Sequence, residues 1–221
     1  MSIKLSPIEA RIIGCLIEKS ITTPDQYPLS LNALTNACNQ KSNRAPALDL
    51  DEHTVQQALG VLIHKHLILD RSGFGSRVPK YQHRLCNTGF GSLEFTAVET
   101  AILCELLIRG PQTPSELRTR AARMADIKEI SEVETALNNL ATKTEGPFVV
   151  RLPRQANRRD ACYAHLLCGE VVAAESEPDI STTTTSELRA SSSLARIEQL
   201  QLQVADLQRE LAALKHKHAN S

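Results

Sequence analysis

Apolar residues recur every three or four positions in two segments of the chain that align with each other. Residues 5–19 and 95–109 match at an offset of 90, and Ile and Leu occupy corresponding places in both. Each segment opens with a hydroxyl residue, Ser6 or Thr96, followed three positions later by Glu. This capping-box arrangement satisfies amides of a first helical turn, so it predicts an equivalent helix at the start of two repeats.

A second helix is predicted in both repeats. A Thr-Pro pair at residues 23–24 recurs at residues 113–114, again at an offset of 90. Helical patterns follow from Ser30 in the first copy and from Ser115 in the second. Proline ends one element and is favoured in the first turn of the next, so each pair is expected to precede a helix.

A third helix and an insertion are predicted from one further motif. The pattern V-x-x-A-L-x-x-L begins at Val55 and again at Val133, and its spacing is that of an amphipathic helix. The offset between these copies is 78 instead of 90. The first repeat therefore contains extra residues between its second and third helices, and the segment 40–52 is their predicted place.

Two short apolar runs follow each third helix and predict a β-hairpin. They begin at Leu67 and Tyr81 in the first repeat and at Phe148 and Tyr163 in the second, with Gly, Pro, Ser, Asn and basic residues between them. Each repeat thus reads helix, helix, helix, strand, strand, which is the order of a winged-helix domain. The expected fold class is mainly α with small β-hairpins (α+β).

The predicted organisation has four parts. Tandem winged-helix domains occupy residues 1–88 and 89–170, a flexible linker rich in Glu, Ser, Thr and Pro occupies 171–193, and a coiled-coil helix occupies 194–217. Homodimerisation through this helix is expected, and folding back onto the domains is the alternative because about three heptads are marginal alone. The residues at its a and d positions are Ile197, Leu200, Val204, Leu207, Leu211 and Leu214.

Several longer motifs resemble those of the YceH-like family of bacterial proteins. The motifs lie at residues 9–46, 73–81, 112–124 and 146–152 and occur in the same order. The resemblance covers about residues 5 to 170. It implies a tandem pair of winged helices, and it supplies no assigned activity and no functional residues.

Composition narrows the classes of function. Lys plus Arg and Asp plus Glu each number 25 in the 221 residues, so the net charge points to no particular partner. No apolar stretch approaches the roughly 20 residues that span a bilayer, and the first ten residues lack the apolar part of a signal peptide. A cytoplasmic protein without a membrane partner is expected. Two domains of this size are expected to have two small cores. Because aromatic residues make up only 3% of the chain, these cores are expected to be aliphatic.

No motif in the chain predicts catalysis. Nucleotide-binding, metalloprotease and hydrolase signatures do not occur, so a non-enzymatic protein without catalytic residues, cofactor or metal is expected. His83 and His165 recur at matched positions, which favours a structural role near the hairpin base. The scattered cysteines show no CxxC pair and are expected to be reduced thiols, several of them on apolar helix faces: Cys15, Cys38, Cys86, Cys104, Cys162 and Cys168.

Local charge marks candidates for DNA binding. Residues 1–85 contain ten Lys or Arg against seven Asp or Glu, a mild surplus. The basic residues cluster where a winged helix approaches phosphates, and Gln56 and Gln57 near the start of the third helix are suited to reading adenine. The candidates are Lys41, Arg44, Gln56, Gln57, Lys65, Arg71, Arg77, Lys80, Arg118, Arg120, Arg123, Arg154, Arg158 and Arg159.

Two functions remain open at this stage. The first is a dimeric regulator of transcription that binds double-stranded DNA. The alternative is a module that holds a protein partner in the grooves of its winged helices. Acidic residues at the start of both third helices, such as Asp51 and Glu132, weaken direct base reading and favour the alternative.

Overall fold

The computed structural model describes residues 3–71, 78–89, 93–154 and 160–169. We refer to residues 3–89 as the first half and to residues 93–169 as the second half. The described residues form six α-helices and two small antiparallel β-sheets. In the first half the elements are α1 (Pro7–Thr22), β1 (Leu29–Ser30), α2 (Leu31–Cys38), α3 (Glu52–His64), β2 (Ile68–Asp70) and β3 (Lys80–His83), with a short 3-10 helix at Pro24–Gln26.

The second half repeats this order apart from its first strand. The predicted succession of three helices and two strands is confirmed in both halves. The elements of the second half are α4 (Ala97–Arg109), α5 (Pro114–Ala121), α6 (Ile130–Thr142), β4 (Val149–Arg151) and β5 (Tyr163–His165). No helix in the described part of the chain is both long enough and apolar enough to cross a membrane.

Capping boxes begin the first helix of each half, as the sequence predicts. The Ser6 hydroxyl accepts a hydrogen bond from the Glu9 amide at 3.2 Å, and the Glu9 carboxylate accepts one from the Ser6 amide at 2.7 Å. Thr96 and Glu99 make the same pair of bonds, at 3.2 Å and 2.9 Å. The two helices therefore start at equivalent residues for the same reason.

The extra residues of the first half lie in two places, so the prediction that they all fall within 40–52 is wrong. In the second half Thr113 caps α5 directly. In the first half the Thr-Pro pair begins the 3-10 helix instead, and α2 starts later, after its cap Ser30. The remaining extra residues lengthen the connector 39–51 relative to its counterpart 122–129.

The segment before α2 also forms a strand, β1, that no pattern in the sequence predicts. β1 pairs with β3, and β3 pairs with β2, which gives a three-stranded sheet. In the second half β4 pairs with β5, and a single bridge between Gln112 and Tyr163 takes the place of the missing strand. Two residues are too few to show a period, so β1 could not be recognised from its pattern.

The two halves share one core, and the expectation of two separate cores is wrong. The buried apolar side chains of both halves form a single cluster. Its centre is the contact between α1 and α4, which are buried from Glu9 to Glu18 and from Glu99 to Ile108. The helices approach closely at Gly14, where an added Cβ would lie 2.6 Å from Ile108 Cγ2.

Candidate nucleic-acid interface

The candidates for DNA binding fall into three groups. Arg77, Arg158 and Arg159 lie outside the described residues, as do the coiled-coil positions from Ile197 to Leu214. The second group is held by hydrogen bonds within the protein and comprises Arg44, Lys65, Arg120 and Arg123. The third group is exposed and comprises Lys41, Gln56, Gln57, Arg71, Lys80, Arg118 and Arg154.

Arg44 is buried, and its assignment as a phosphate contact is wrong. Its side chain is 0% exposed and its guanidinium binds the Glu18 carboxylate through both terminal nitrogens. Arg44 Nε also donates to the Ala37 carbonyl at 2.9 Å. Burial alone would lower the pKa of Arg44, but the hydrogen bonds to Glu18 raise it overall, so the guanidinium remains charged.

Arg123 joins the two halves through buried carboxylates. One terminal nitrogen donates to Glu18 of α1, and the other donates to Glu105 Oε1 of α4 at 2.6 Å. Arg109 Nε lies 3.0 Å from the second oxygen of Glu105. The Arg123 side chain is 29% exposed, whereas the carboxylates of Glu18 and Glu105 are 1% and 0% exposed. Arg123 is therefore committed to this network and is removed from the candidate DNA surface.

The connector 39–51 ties the first half to the end of α4. The Ala45 amide donates to the Ile108 carbonyl at 3.1 Å, and the Arg109 guanidinium donates to the Asn43 side chain. Arg11 of α1 holds the connector on its other side. Its guanidinium donates to the Cys38 carbonyl at 3.1 Å and to the Pro46 carbonyl at 2.8 Å. The connector is thus a structural clamp, and of its two candidate cations only Lys41 is exposed.

Lys65 belongs to an ion pair that occurs in both halves. Its ammonium lies 2.8 Å from the carboxylate of Glu9, the capping residue of α1. Lys143, at the equivalent place after α6, lies 3.6 Å from the carboxylate of Glu99. The repeat therefore extends to tertiary contacts, and Lys65 has a structural role that its sequence position did not reveal.

Arg120 is also occupied. Its Nη1 donates to the Gln112 side chain at 2.7 Å, and its Nη2 lies 3.4 Å from the Glu116 carboxylate one helical turn earlier. Gln112 in turn donates to the Glu105 carbonyl at 3.1 Å. Arg120 therefore orders the bend between α4 and α5, while Arg118 on the same helix is exposed.

Each hairpin exposes two cations at the same end. In the first half Arg71 follows β2 and Lys80 begins β3, and the Arg71 amide donates to the Lys80 carbonyl at 2.7 Å. In the second half Arg151 ends β4, and Arg154 lies three residues later. All four residues are exposed. Both hairpins therefore expose two cations near the end away from α3 and α6, and each also exposes one acid, Asp70 or Asp160.

The outward face of α3 carries exposed amides. Gln56 and Gln57 are both exposed, and Gln57 Nε2 lies 2.9 Å from His53 Nε2. The acids at the start of the helix have local partners. Asp51 accepts a hydrogen bond from the Thr54 amide at 2.7 Å, and Glu52 accepts one from the Asn32 side chain at 2.9 Å.

The repeated histidines lie in the hairpin strands β3 and β5, where His83 is buried and His165 is half-buried. His83 is 9% exposed, and burial lowers its pKa to about 4. Burial lowers the pKa of His165 to about 4 as well. Neither Nδ1 atom has a hydrogen-bond partner among the described residues. Both side chains are neutral at pH 7, so they contribute no positive charge to the surface.

The described residues offer no arrangement typical of a metal site or a disulfide. None of them form a cluster of three or more His, Cys, Asp or Glu side chains that could hold a metal. The six cysteines all lie in the described part of the chain and none forms a disulfide. Four of them are buried, and three of these, Cys15, Cys38 and Cys104, lie in helices.

Comparison with known proteins gives matches along most of the chain. The profile described as "Protein of unknown function, DUF480" matches residues 5–158. A UPF0502 protein of Vibrio parahaemolyticus is 53% identical over 215 residues. The match covers 97% of this chain and 96% of the Vibrio protein. UPF0502 proteins of Aeromonas hydrophila and Pectobacterium carotovorum are 50% and 49% identical over 218 and 214 residues. These matches cover 97% of this chain and 100% and 99% of theirs.

Proposed function

This chain belongs to the DUF480 family, and we propose that it is a non-enzymatic DNA-binding protein in which each half is a winged-helix domain. The membership is consistent with the resemblance to YceH-like proteins. The order of three helices followed by a hairpin in each half supports the winged-helix assignment. Because the fold alone does not determine function, the proposal depends on the surface of these elements.

The observation that carries the proposal is the pair of exposed cations on each hairpin. The first half exposes Arg71 and Lys80, and the second half exposes Arg151 and Arg154 at different positions of its hairpin. In winged-helix proteins the hairpin and the third helix form the side that meets a duplex. Lys and Arg at these places bind phosphates and release counterions, which favours association with DNA of any sequence.

The shared core supports simultaneous binding by both halves. The packing of α1 on α4 and the bonds from Arg123 to Glu18 and Glu105 fix one half against the other. Two phosphate-binding hairpins on one rigid unit need less ordering on binding than two independent domains, so less conformational entropy is lost.

A C-terminal coiled coil is part of the proposal and lies outside the described residues. Linking two copies through Ile197, Leu200 and the later heptad positions raises the effective concentration of the second DNA-binding unit. Deletion of residues 194–221 is expected to convert a dimer into a monomer in light scattering. An unchanged molar mass would contradict the coiled-coil dimer.

Charge reversal of the hairpins tests the proposal. We expect Arg71→Glu with Lys80→Glu, and separately Arg151→Glu with Arg154→Glu, to weaken binding of a mixed-sequence duplex by roughly tenfold or more and to lower the salt slope by about 2. Fluorescence anisotropy at several salt concentrations measures both quantities. Lys4→Glu is the control, since it reverses the charge of an exposed residue outside the hairpins and the third helices.

DNA binding that is unchanged in both hairpin variants, or weakened equally in the control variant, would contradict the hairpin interface.

The alternative function is a protein-interaction module, and one observation favours it. Val61 on α3 and Ile130 at the start of α6 are 46% and 39% exposed, so both third helices present an apolar side chain to solvent. Absence of DNA binding even at low salt would select this alternative.

A further inference from the structure

The outward faces of α3 and α6 differ in chemistry although the two helices are equivalent in the repeat. The offset of 78 that aligns them sets Gln56 against Glu134 and Gly60 against Asn138. All four residues are exposed. The middle of the α3 face is therefore uncharged, whereas α6 carries a carboxylate at the corresponding position.

Gly60 has no packing role among the described residues. It lies inside α3, where glycine is less favourable than alanine, and a Cβ added to it would meet nothing within 4 Å. Gly14 differs because its missing side chain allows α1 and α4 to touch. The space above Gly60 is open to a partner that approaches the helix backbone closely.

The residues around Gly60 suit the edges of A·T base pairs. Gln56 and Gln57 lie one turn before Gly60 on the same side of the helix. A glutamine amide can bond adenine at both N6 and N7, and an aliphatic side chain can contact the methyl group of thymine. Val61 is next to Gly60 and is 46% exposed. His53, 2.9 Å from the Gln57 amide, restricts its orientation.

Charge differs between the two faces, although both third helices begin with exposed acids, Asp51 and Glu52 in α3 and Glu129 in α6. Arg71 and Lys80 lie on the hairpin of the first half and supply the phosphate contacts beside the groove. In the second half Glu132 accepts hydrogen bonds from the Lys128 and Glu129 amides, and Glu134 is exposed two residues later. Carboxylates at these places oppose the approach of a phosphate backbone to α6.

We infer that the two halves divide the recognition of DNA between them. The α3 helix reads A·T base pairs in the major groove through Gln56, Gln57 and Val61, with Gly60 allowing close approach. The second half contacts phosphates through Arg151 and Arg154 and reads no bases. This inference rests on the proposed DNA-binding function, from which it is separable by experiment.

The test measures sequence preference with the full chain. Duplexes selected from a randomised pool are compared with a mixed-sequence duplex, and the ratio of the two Kd values gives the preference. We expect the selected sites to be rich in A·T pairs. Gln56→Ala with Gln57→Ala, and separately Gly60→Leu, should lower the preference by roughly tenfold or more while leaving the salt slope unchanged.

The matched control is Thr135→Ala with Asn138→Ala on the equivalent face of α6, which should leave the preference unchanged. Thermal melting of each variant verifies that it is folded. Salt-dependent binding without an enriched sequence, or a preference lost equally in the α6 variant, would overturn the division of roles and leave the proposed function standing. Absence of any DNA binding would remove both.

Discussion

Two carboxylates in buried helices determine which basic residues are available at the surface. Glu18 and Glu105 lie in apolar helical segments, and a buried carboxylate is costly unless a cation neutralises it. The sequence shows both acids, but their partners are distant along the chain: Arg44 is 26 and Arg123 is 105 positions from Glu18. Local patterns could not identify these pairs, so both arginines were assigned to DNA.

Arg123→Met is therefore expected to lower stability and to leave DNA affinity unchanged. The substitution leaves Glu18 and Glu105 with one cation fewer, and we expect a loss of about 2 kcal/mol after allowing for the partial exposure of Arg123. Urea unfolding measures the change, with Arg118→Met in the preceding helix α5 as the exposed control. A loss of DNA affinity without a loss of stability would instead place Arg123 at the interface.

The hairpin histidines predict a dependence of stability on pH. Their pKa values are about 4 in the folded protein and near 6.5 when unfolded, so the unfolded chain binds more protons between these values. Stability therefore falls as pH falls from 6.5 towards 4, by about 2 kcal/mol for each histidine between pH 7 and 5. Urea unfolding of His83→Gln with His165→Gln should show a much smaller decrease over this range. An equal decrease would contradict burial of neutral histidines.

Elements with a local signal can be predicted from this sequence, and elements that depend on distant pairing cannot. Capping boxes at Ser6 and Thr96 and the periodic patterns from Val55 and Val133 identified the first and third helices of each half. Strand β1 was missed because only its pairing with β3 defines it. The candidate site follows the same rule: the sequence places Arg71 and Lys80 in a hairpin, where they are exposed, but it does not show the tertiary contacts that hold Arg44 and Arg123. DNA binding by the exposed residues stays a prediction.

The two helical glycines predict opposite effects of alanine. Gly60→Ala should raise the free energy of unfolding by about 0.5–1 kcal/mol, because the methyl group meets open space and the helix gains propensity. Gly14→Ala should lower it by about 1–3 kcal/mol, because the new Cβ would lie 2.6 Å from Ile108 Cγ2. Chemical unfolding of both variants measures the difference. Destabilisation by Gly60→Ala would show that α3 is packed where we describe it as open.

At the scale of the molecule, the repeat was visible in the sequence but the single core was not. Matching caps and motifs indicate two similar halves, whereas the burial of α1 and α4 against each other depends on their tertiary contact. The shared core changes the functional expectation, because two hairpins with exposed cations belong to one unit. Family membership is shown for this chain, and DNA binding is our proposal for its activity.

The most direct test of that proposal is a titration of a mixed-sequence duplex with the full chain, followed by fluorescence anisotropy at low and at physiological salt. Four exposed hairpin cations per chain predict a logarithmic salt slope of about −3 to −4 for each chain that contacts the duplex, with affinity falling steeply as counterions compete. Absence of binding at low salt, or binding that does not depend on salt, would contradict the account.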